Sequence, residues 1–105
     1  MPNKHYITEV GTDFLFDTGI DVSGESIFRI RYKDGAGLVG TWVGEAYSSY
    51  SELVGAIGTY FIKYTLASTS TLSNPGDWYL QPYIASASGT WFGETVRELI
   101  LGAYE

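Results

Sequence analysis

The sequence predicts an all-β protein, built as an antiparallel β-sandwich or small barrel of about seven strands. Several short segments alternate apolar and polar residues with a period of two, which is typical of half-buried strands. Clusters of Gly, Asp, Asn, Pro and Ser separate these segments, and no stretch keeps a helical pattern for long. A length of 105 residues without an internal repeat predicts one domain over residues 1–105.

The clearest strand is IFRIRYK at 27–33, which follows a shorter one, DFLFD at 13–17. In DFLFD the two Phe side chains fall on one side. In IFRIRYK the apolar and basic side chains fall on opposite faces, with Phe28, Ile30 and Tyr32 on one and Arg29, Arg31 and Lys33 on the other. The pattern alone favours a solvated face for this basic stripe over a docking patch.

Three further segments are predicted strands. In LVGTWVGEA at 38–46 the alternation does not decide which face is buried. TYFIKYTL at 59–66 and DWYLQPYI at 77–84 each have a clear apolar face, made of Tyr60, Ile62, Tyr64 and Leu66 in the first and of Trp78, Leu80, Pro82 and Ile84 in the second. Turn-forming residues at 34–37 and 86–89 are short enough to close hairpins.

Residues 46–58, AYSSYSELVGAIG, fit no simple strand. Ser49 and Glu52 have the spacing of a helix capping box, but Gly55 and Gly58 restrict any helix to about one turn. We predict a long loop here that holds one helical turn.

The segment 93–102 also has helical spacing, but two glycines leave it short for a helix. We predict a final strand instead. A bulge near residues 97–98 would return Leu99 and Leu101 to the buried side.

Composition and charge exclude several functional classes. Six Lys and Arg against twelve Asp and Glu give a formal net charge of −6, which opposes binding to the phosphate backbone of nucleic acids. No apolar run reaches the about 20 residues of a membrane helix, and the start of the chain lacks a secretion signal, so we expect synthesis in the cytoplasm and no membrane partner. With no cysteine, and with the one histidine, His5, at an end expected to be free, we predict neither a metal site nor a cofactor.

Asp17-Thr18-Gly19, within FLFDTGID, matches the catalytic motif of aspartic proteases. Such an enzyme needs two carboxylates that share a proton, so a chain with one motif must dimerise. In retroviral proteases a small residue follows the motif, where this chain has Ile20, and the apolar-apolar-Gly of residues 100–102 leaves three residues for dimer assembly. The favoured interpretation is a turn that Asp17 caps with its side chain and in which Gly19 has a positive φ.

Four stretches, taken in order, carry a resemblance: HYITEVGTDFLFDTGIDVSG at 5–24, IFRIRYKDG at 27–35, YFIKYT at 60–65 and NPGDWYLQPYIASASGTWFGETV at 74–96. Together they resemble a group of small tailed-phage and prophage proteins with an immunoglobulin-like β-sandwich, akin to the N-terminal domain of phage baseplate upper proteins. The resemblance covers most of the chain and depends on the order of strand and turn patterns. It implies an immunoglobulin-like fold and a non-enzymatic role in a virus particle or in its assembly.

The candidate binding residues are aromatic side chains that strand alternation or loop position directs outward, because such residues favour interfaces. They are Tyr47, Tyr50, Phe61, Tyr79, Tyr83 and Trp91. We expect a phage structural or interaction module, in the virion or in the host cytoplasm during assembly, whose partners are other phage proteins or further copies of itself. A carbohydrate or host-surface binding module is the alternative, and a dimeric protease that uses Asp17 is less favoured.

Overall fold

The computed structural model describes residues 4–68, 70–86 and 88–104, and this part of the chain contains nine strands and no helix. There is therefore no helix in these ranges that is long and apolar enough to cross a membrane. The strands are β1 (His5–Tyr6), β2 (Asp13–Asp17), β3 (Ile27–Lys33), β4 (Val39–Val43), β5 (Glu45–Ser51), β6 (Ala56–Thr65), β7 (Gly76–Ser86), β8 (Gly89–Phe92) and β9 (Val96–Leu101). They form two sheets with a shared core, so the predicted all-β, sandwich-like fold class is confirmed.

The large sheet has the strand order β1-β9-β7-β3-β4, and β8 pairs with the end of β7 beyond β9. Its pairs are antiparallel except the short parallel pair of β1 with β9. The small sheet has the order β2-β6-β5 and is antiparallel throughout. Both predicted hairpins are present, β3 to β4 and β7 to β8.

The core lies between the sheets and is made by the inward face of each strand. Its buried apolar residues are Phe14, Phe16, Val22, Phe28, Ile30, Trp42, Ile62, Leu66, Leu72, Trp78, Leu80, Ile84 and Ile100. The Trp42 ring is at its centre, 4.4 Å from the Tyr64 ring centroid and 5.2 Å from that of Tyr32. The predicted apolar faces of β2, β3, β6 and β7 are confirmed, and Trp42 shows which side of β4 is inside.

Gly44 joins the two sheets on one side of the sandwich. It is the one residue between β4, at the edge of the large sheet, and β5, at the edge of the small sheet. A Cβ on Gly44 would lie 2.8 Å from Ile62 Cγ2 and 2.9 Å from Ile30 Cδ1, so a side chain does not fit where the chain crosses the core. On the opposite side, edge strand β2 faces β8 and β9 across an open cleft of about 450 Å³.

The prediction of a long loop over residues 46–58 is wrong, because β5 and β6 pair antiparallel there as a β-hairpin. The expected single helical turn is present at the hairpin tip, where the Gly55 N–H bonds to the carbonyl four residues earlier. Gly55 has a φ of 82° and its N–H donates to the Ser51 carbonyl at 2.7 Å, which closes the turn. Strand β5 of this hairpin and the two-residue β1 account for the strands beyond the expected seven.

Two expectations near the chain ends are also corrected. Strand β9 pairs with β7 in regular register without the predicted bulge, and Ile100 is the buried residue, while Leu99 is exposed. His5 does not lie in a free end, because it pairs with Ile100 in β1 and its Nδ1 lies 3.1 Å from Glu9 Oε2.

Candidate functional site

The Asp-Thr-Gly segment forms a turn at the end of β2. The Gly19 N–H donates to Asp17 Oδ1 at 3.1 Å, and Gly19 has a φ of 70°. Thr18 continues the pairing with β6, since its N–H and its hydroxyl both donate to the Tyr60 carbonyl, at 2.8 and 2.7 Å. The side-chain cap of Asp17 and the positive φ of Gly19 are those that the turn interpretation predicted.

The carboxylate of Asp17 also braces the β5–β6 hairpin. The Ser51 hydroxyl, which is fully buried, lies 2.9 Å from both Asp17 carboxylate oxygens and donates to them. The same Ser51 oxygen accepts the Val54 N–H at 3.1 Å inside the turn. Asp17 thus connects the end of β2 to the hairpin turn, and both of its oxygens have a hydrogen-bond partner.

The outer face of the large sheet brings together side chains from five strands. Pairing between strands arranges them in three rows that cross the sheet. We call this surface the docking face, and its rows are Val43, Arg29, Tyr83 and Phe92; Thr41, Arg31 and Gln81; and Val39, Lys33, Tyr79 and Arg97.

Hydrogen bonds and ring contacts fix the middle of the docking face. Arg31 Nε donates to Gln81 Oε1 at 2.6 Å, and the Arg31 guanidinium carbon lies 4.4 Å from the centroid of the Phe92 ring. Gln81 Nε2 donates to the Gly93 carbonyl at 2.8 Å, and the Tyr83 and Phe92 rings are 5.5 Å apart. These contacts restrict the rotamers of several long side chains on this face.

The docking face is basic although the chain is acidic. Four of the six Lys and Arg residues of the chain lie on it. Among the strand residues that point to this side, the one acidic group is Asp77, whose Oδ1 lies 2.8 Å from the Arg97 guanidinium. This pairing raises the pKa of Arg97, mainly through the hydrogen bond from the guanidinium to Asp77 and then through the attraction of the two charges.

A groove of about 490 Å³ crosses the docking face between its second and third rows. Two residues along a strand separate the rows by about 7 Å. Arg31 and Lys33 stand on either side of the groove in β3, and the full lining is Arg31, Tyr32, Lys33, Val39, Gly40, Thr41, Tyr79, Gln81 and Thr95. The groove is therefore a slot across three strands with a cation on each wall.

Exposed apolar side chains surround these cations. Val39 is 77% exposed and Val43 67% exposed, both on the outer side of edge strand β4. Phe92, Leu99, Ile27 and Tyr79 are exposed on the neighbouring strands of the same face. Exposed apolar side chains thus lie between the cations on this face.

The structure brings two of the six predicted binding residues onto the docking face, exposed Tyr79 and half-buried Tyr83. Tyr47 and Phe61 pair with each other on the outer side of the small sheet, and Tyr50 is exposed on the β5–β6 hairpin. The expectation of an outward Trp91 is corrected: Trp91 is half-buried against the core, and its neighbour Phe92 is exposed.

Sequence reasoning missed Val39 and Val43 as members of this surface, and of the neighbours Trp91 and Phe92, one of which had to face outward, it chose Trp91. The register of β8 on β7 places Trp91 opposite Ile84 and Phe92 opposite Tyr83, which sets Phe92 outward. For β4, the burial of Trp42 is the signal that places both valines outside, because the side chains of a strand alternate.

The arrangement of the docking face suits binding through cations, aromatic rings and amides. Across residues 4–68, 70–86 and 88–104, no group of three or more His, Cys, Asp or Glu side chains could hold a metal ion. Comparisons with protein families, with curated proteins and with solved structures found no match for this chain.

Proposed function

We propose that this chain is a non-enzymatic interaction module that binds another protein through its docking face, as a structural component of a tailed-phage particle or of its assembly. The phage context comes from the resemblance of the sequence, and the binding role comes from the surface. The observation that carries the proposal is one broad sheet face where exposed apolar side chains alternate with basic ones on an otherwise acidic chain.

The composition of the docking face favours a protein partner. Aromatic, apolar and Arg side chains are the residues enriched at protein interfaces. Arg31 is stacked on Phe92 and anchored by Gln81, so little side-chain entropy is lost when it meets a partner. A complementary partner would be acidic around an apolar centre, because opposed charges increase the association rate and select among partners.

Lysine footprinting in intact particles tests this proposal. Lys33 lies on the docking face, whereas Lys63 lies on β6 of the small sheet, beside Glu45. Particles purified from the host culture and the free chain are treated with an amine-acylating reagent, and each lysine is compared with itself by mass spectrometry. We expect Lys33 to react several-fold more slowly in the particle, with Lys63 as the internal control.

Two results would reject the proposal. One is absence of the chain from particles and from assembly intermediates in which other phage proteins are detected in stoichiometric amounts. The other is equal reactivity of Lys33 in the particle and in the free chain.

A carbohydrate-binding module is the second candidate, and the lining of the groove is the observation that favours it. Tyr79 offers a ring, and Gln81, Thr41 and Thr95 offer hydrogen-bonding groups, in a slot open to solvent. Glycan binding that Tyr79→Ala abolishes, and that Tyr47→Ala on the small sheet leaves unchanged, would support this candidate. No binding across a broad glycan array would count against it.

A further inference from the structure

We infer that the groove of the docking face receives the β5–β6 hairpin tip, residues 50–57, of a second copy of this chain. The inference rests on the proposed function, in which the docking face binds protein, and it names the partner.

The hairpin tip is apolar and exposed. Ile57 is 78% exposed and Leu53 71% exposed, and Tyr50 and Val54 are exposed beside them. Tyr50 pairs directly with Ile57 across the hairpin, so their side chains are neighbours. Leu53 lines the cleft between β2 and β8 together with Phe92, and all four side chains keep a large exposed fraction among the residues that the structure describes.

The tip is held in one conformation. The Ser51 hydroxyl accepts the Val54 N–H and donates to Asp17, and the Ser51 carbonyl accepts the Gly55 N–H. The turn is therefore fixed from both strands and from β2. A preordered loop loses little conformational entropy when it binds.

The charges of the tip and the groove are complementary. Glu52 is at the tip, and Asp17 and Asp21 lie at the adjacent end of β2 and in the loop after it, while Lys and Arg are absent from residues 44–57. None of these three carboxylates forms an ion pair within the described ranges. Arg31 and Lys33 stand on the walls of the groove, and exposed Val39 and Tyr79 offer apolar contact for Leu53 and Ile57.

One copy cannot fill its own groove. The hairpin belongs to the small sheet, and the groove lies on the outer face of the large sheet, with the core between them. The contact must join two different surfaces of two copies. Repetition of such a contact gives a closed ring or an open filament and not a two-fold dimer.

Complementary charge-reversal variants test the inference by sedimentation velocity over a concentration series in low salt. The groove variant is Arg31→Glu with Lys33→Glu, and the tip variant is Glu52→Lys with Ile57→Lys. The control, Glu25→Lys, makes the same single reversal as Glu52→Lys in a loop that does not belong to the hairpin. Circular dichroism confirms that each variant is folded.

We expect the wild-type chain and the control to associate, and association to weaken in high salt because the attraction is screened. Each variant alone should be monomeric. A mixture of the two should associate, because the intact tip of the groove variant can enter the intact groove of the tip variant.

The inference is overturned if the wild-type chain stays monomeric at every concentration. It is also overturned if the wild-type chain associates and the mixture of variants does not. Protection of Lys33 in particles, together with a monomeric free chain, would reject a second copy as the partner and leave the proposed function standing. Absence of both association and protection would reject both.

Discussion

At the scale of single residues, the most informative group is the Asp17 carboxylate. Its sequence motif resembles that of aspartic proteases, whereas its contacts connect β2 to the turn of the β5–β6 hairpin. Asp17 caps the turn at the end of β2, and its carboxylate accepts a hydrogen bond from the buried Ser51 hydroxyl. Ser51 lies on β5, which β6 separates from β2 in the small sheet. Both Asp17 oxygens accept the Ser51 hydroxyl at the hairpin turn, so the loss of this carboxylate should reduce stability.

Ser51→Ala tests this structural role. It removes the hydroxyl that joins Asp17 to the Val54 N–H, and we expect the free energy of unfolding to fall by about 1–3 kcal/mol because a hydrogen bond from a buried hydroxyl to a charged carboxylate is lost. Urea denaturation measures the change, with Ser49→Ala on the same strand as the control. Unchanged stability, combined with acid-optimum proteolysis that Asp17→Ala abolishes, would favour catalysis.

Asp34 makes the stability of the fold depend on pH. Burial raises the pKa of its carboxyl, but hydrogen bonds from Asn74, Leu38, Ala36 and Gly37 outweigh burial, so the pKa is lowered. The carboxylate therefore contributes stability above the unfolded pKa of about 3.9, and this contribution is lost as the pH falls through the lower folded value.

Asp34→Asn should accordingly lower the free energy of unfolding at pH 7 by about 1–3 kcal/mol, since hydrogen bonds to a charged group are lost. The difference from wild type should shrink below about pH 4. Denaturation at several pH values checks both statements. Glu52→Gln, which removes the same charge from an exposed turn, is the control, and an equal effect of the two substitutions would refute the role of Asp34.

At the scale of elements, Gly44 determines how the two sheets are joined. The Cβ of any other residue would meet Ile30 and Ile62, which are both fully buried and would have to shift. Gly44→Ala should cost about 1–3 kcal/mol of stability by overpacking. Thermal or urea unfolding measures this cost, and Gly24→Ala, with open space around its Cβ, should change stability little. A neutral Gly44→Ala would show that the corner is not tightly packed.

Also at this scale, the sequence predicted strands well where period two is uninterrupted. β3 and β7 keep their alternation over seven residues and more, and their inward faces were identified correctly. β5 is an edge strand of small and polar residues, and a bulge between Tyr47 and Ser49 breaks its period, so no pattern distinguished it from a loop. In β9 the three consecutive apolar residues 99–101 leave open which side chain points inward. Pairing with β7 turns Ile100 towards the core.

At the scale of the whole molecule, the docking face could not be predicted from local patterns. The basic stripe on β3 was visible in the sequence, but its meaning depends on neighbours that only the sheet supplies. Gln81 lies 50 residues from Arg31, and Phe92 belongs to a different hairpin. Alternation alone predicted that this basic stripe faces solvent. Pairing between distant strands places aromatic and apolar side chains on either side of its cations.

The Gly44 corner has a mechanical consequence. β4 contributes Val39 and Thr41 to the groove, and the same chain turns at Gly44 into β5 and runs on to the hairpin tip. The β4 side of the groove and the hairpin tip thus belong to one covalent ribbon, residues 39–57. In a ring or filament of copies, tension between neighbours would travel along this ribbon from groove to tip through peptide bonds. The packed core would then resist bending of the ribbon, and the tensile force would not pass through the core.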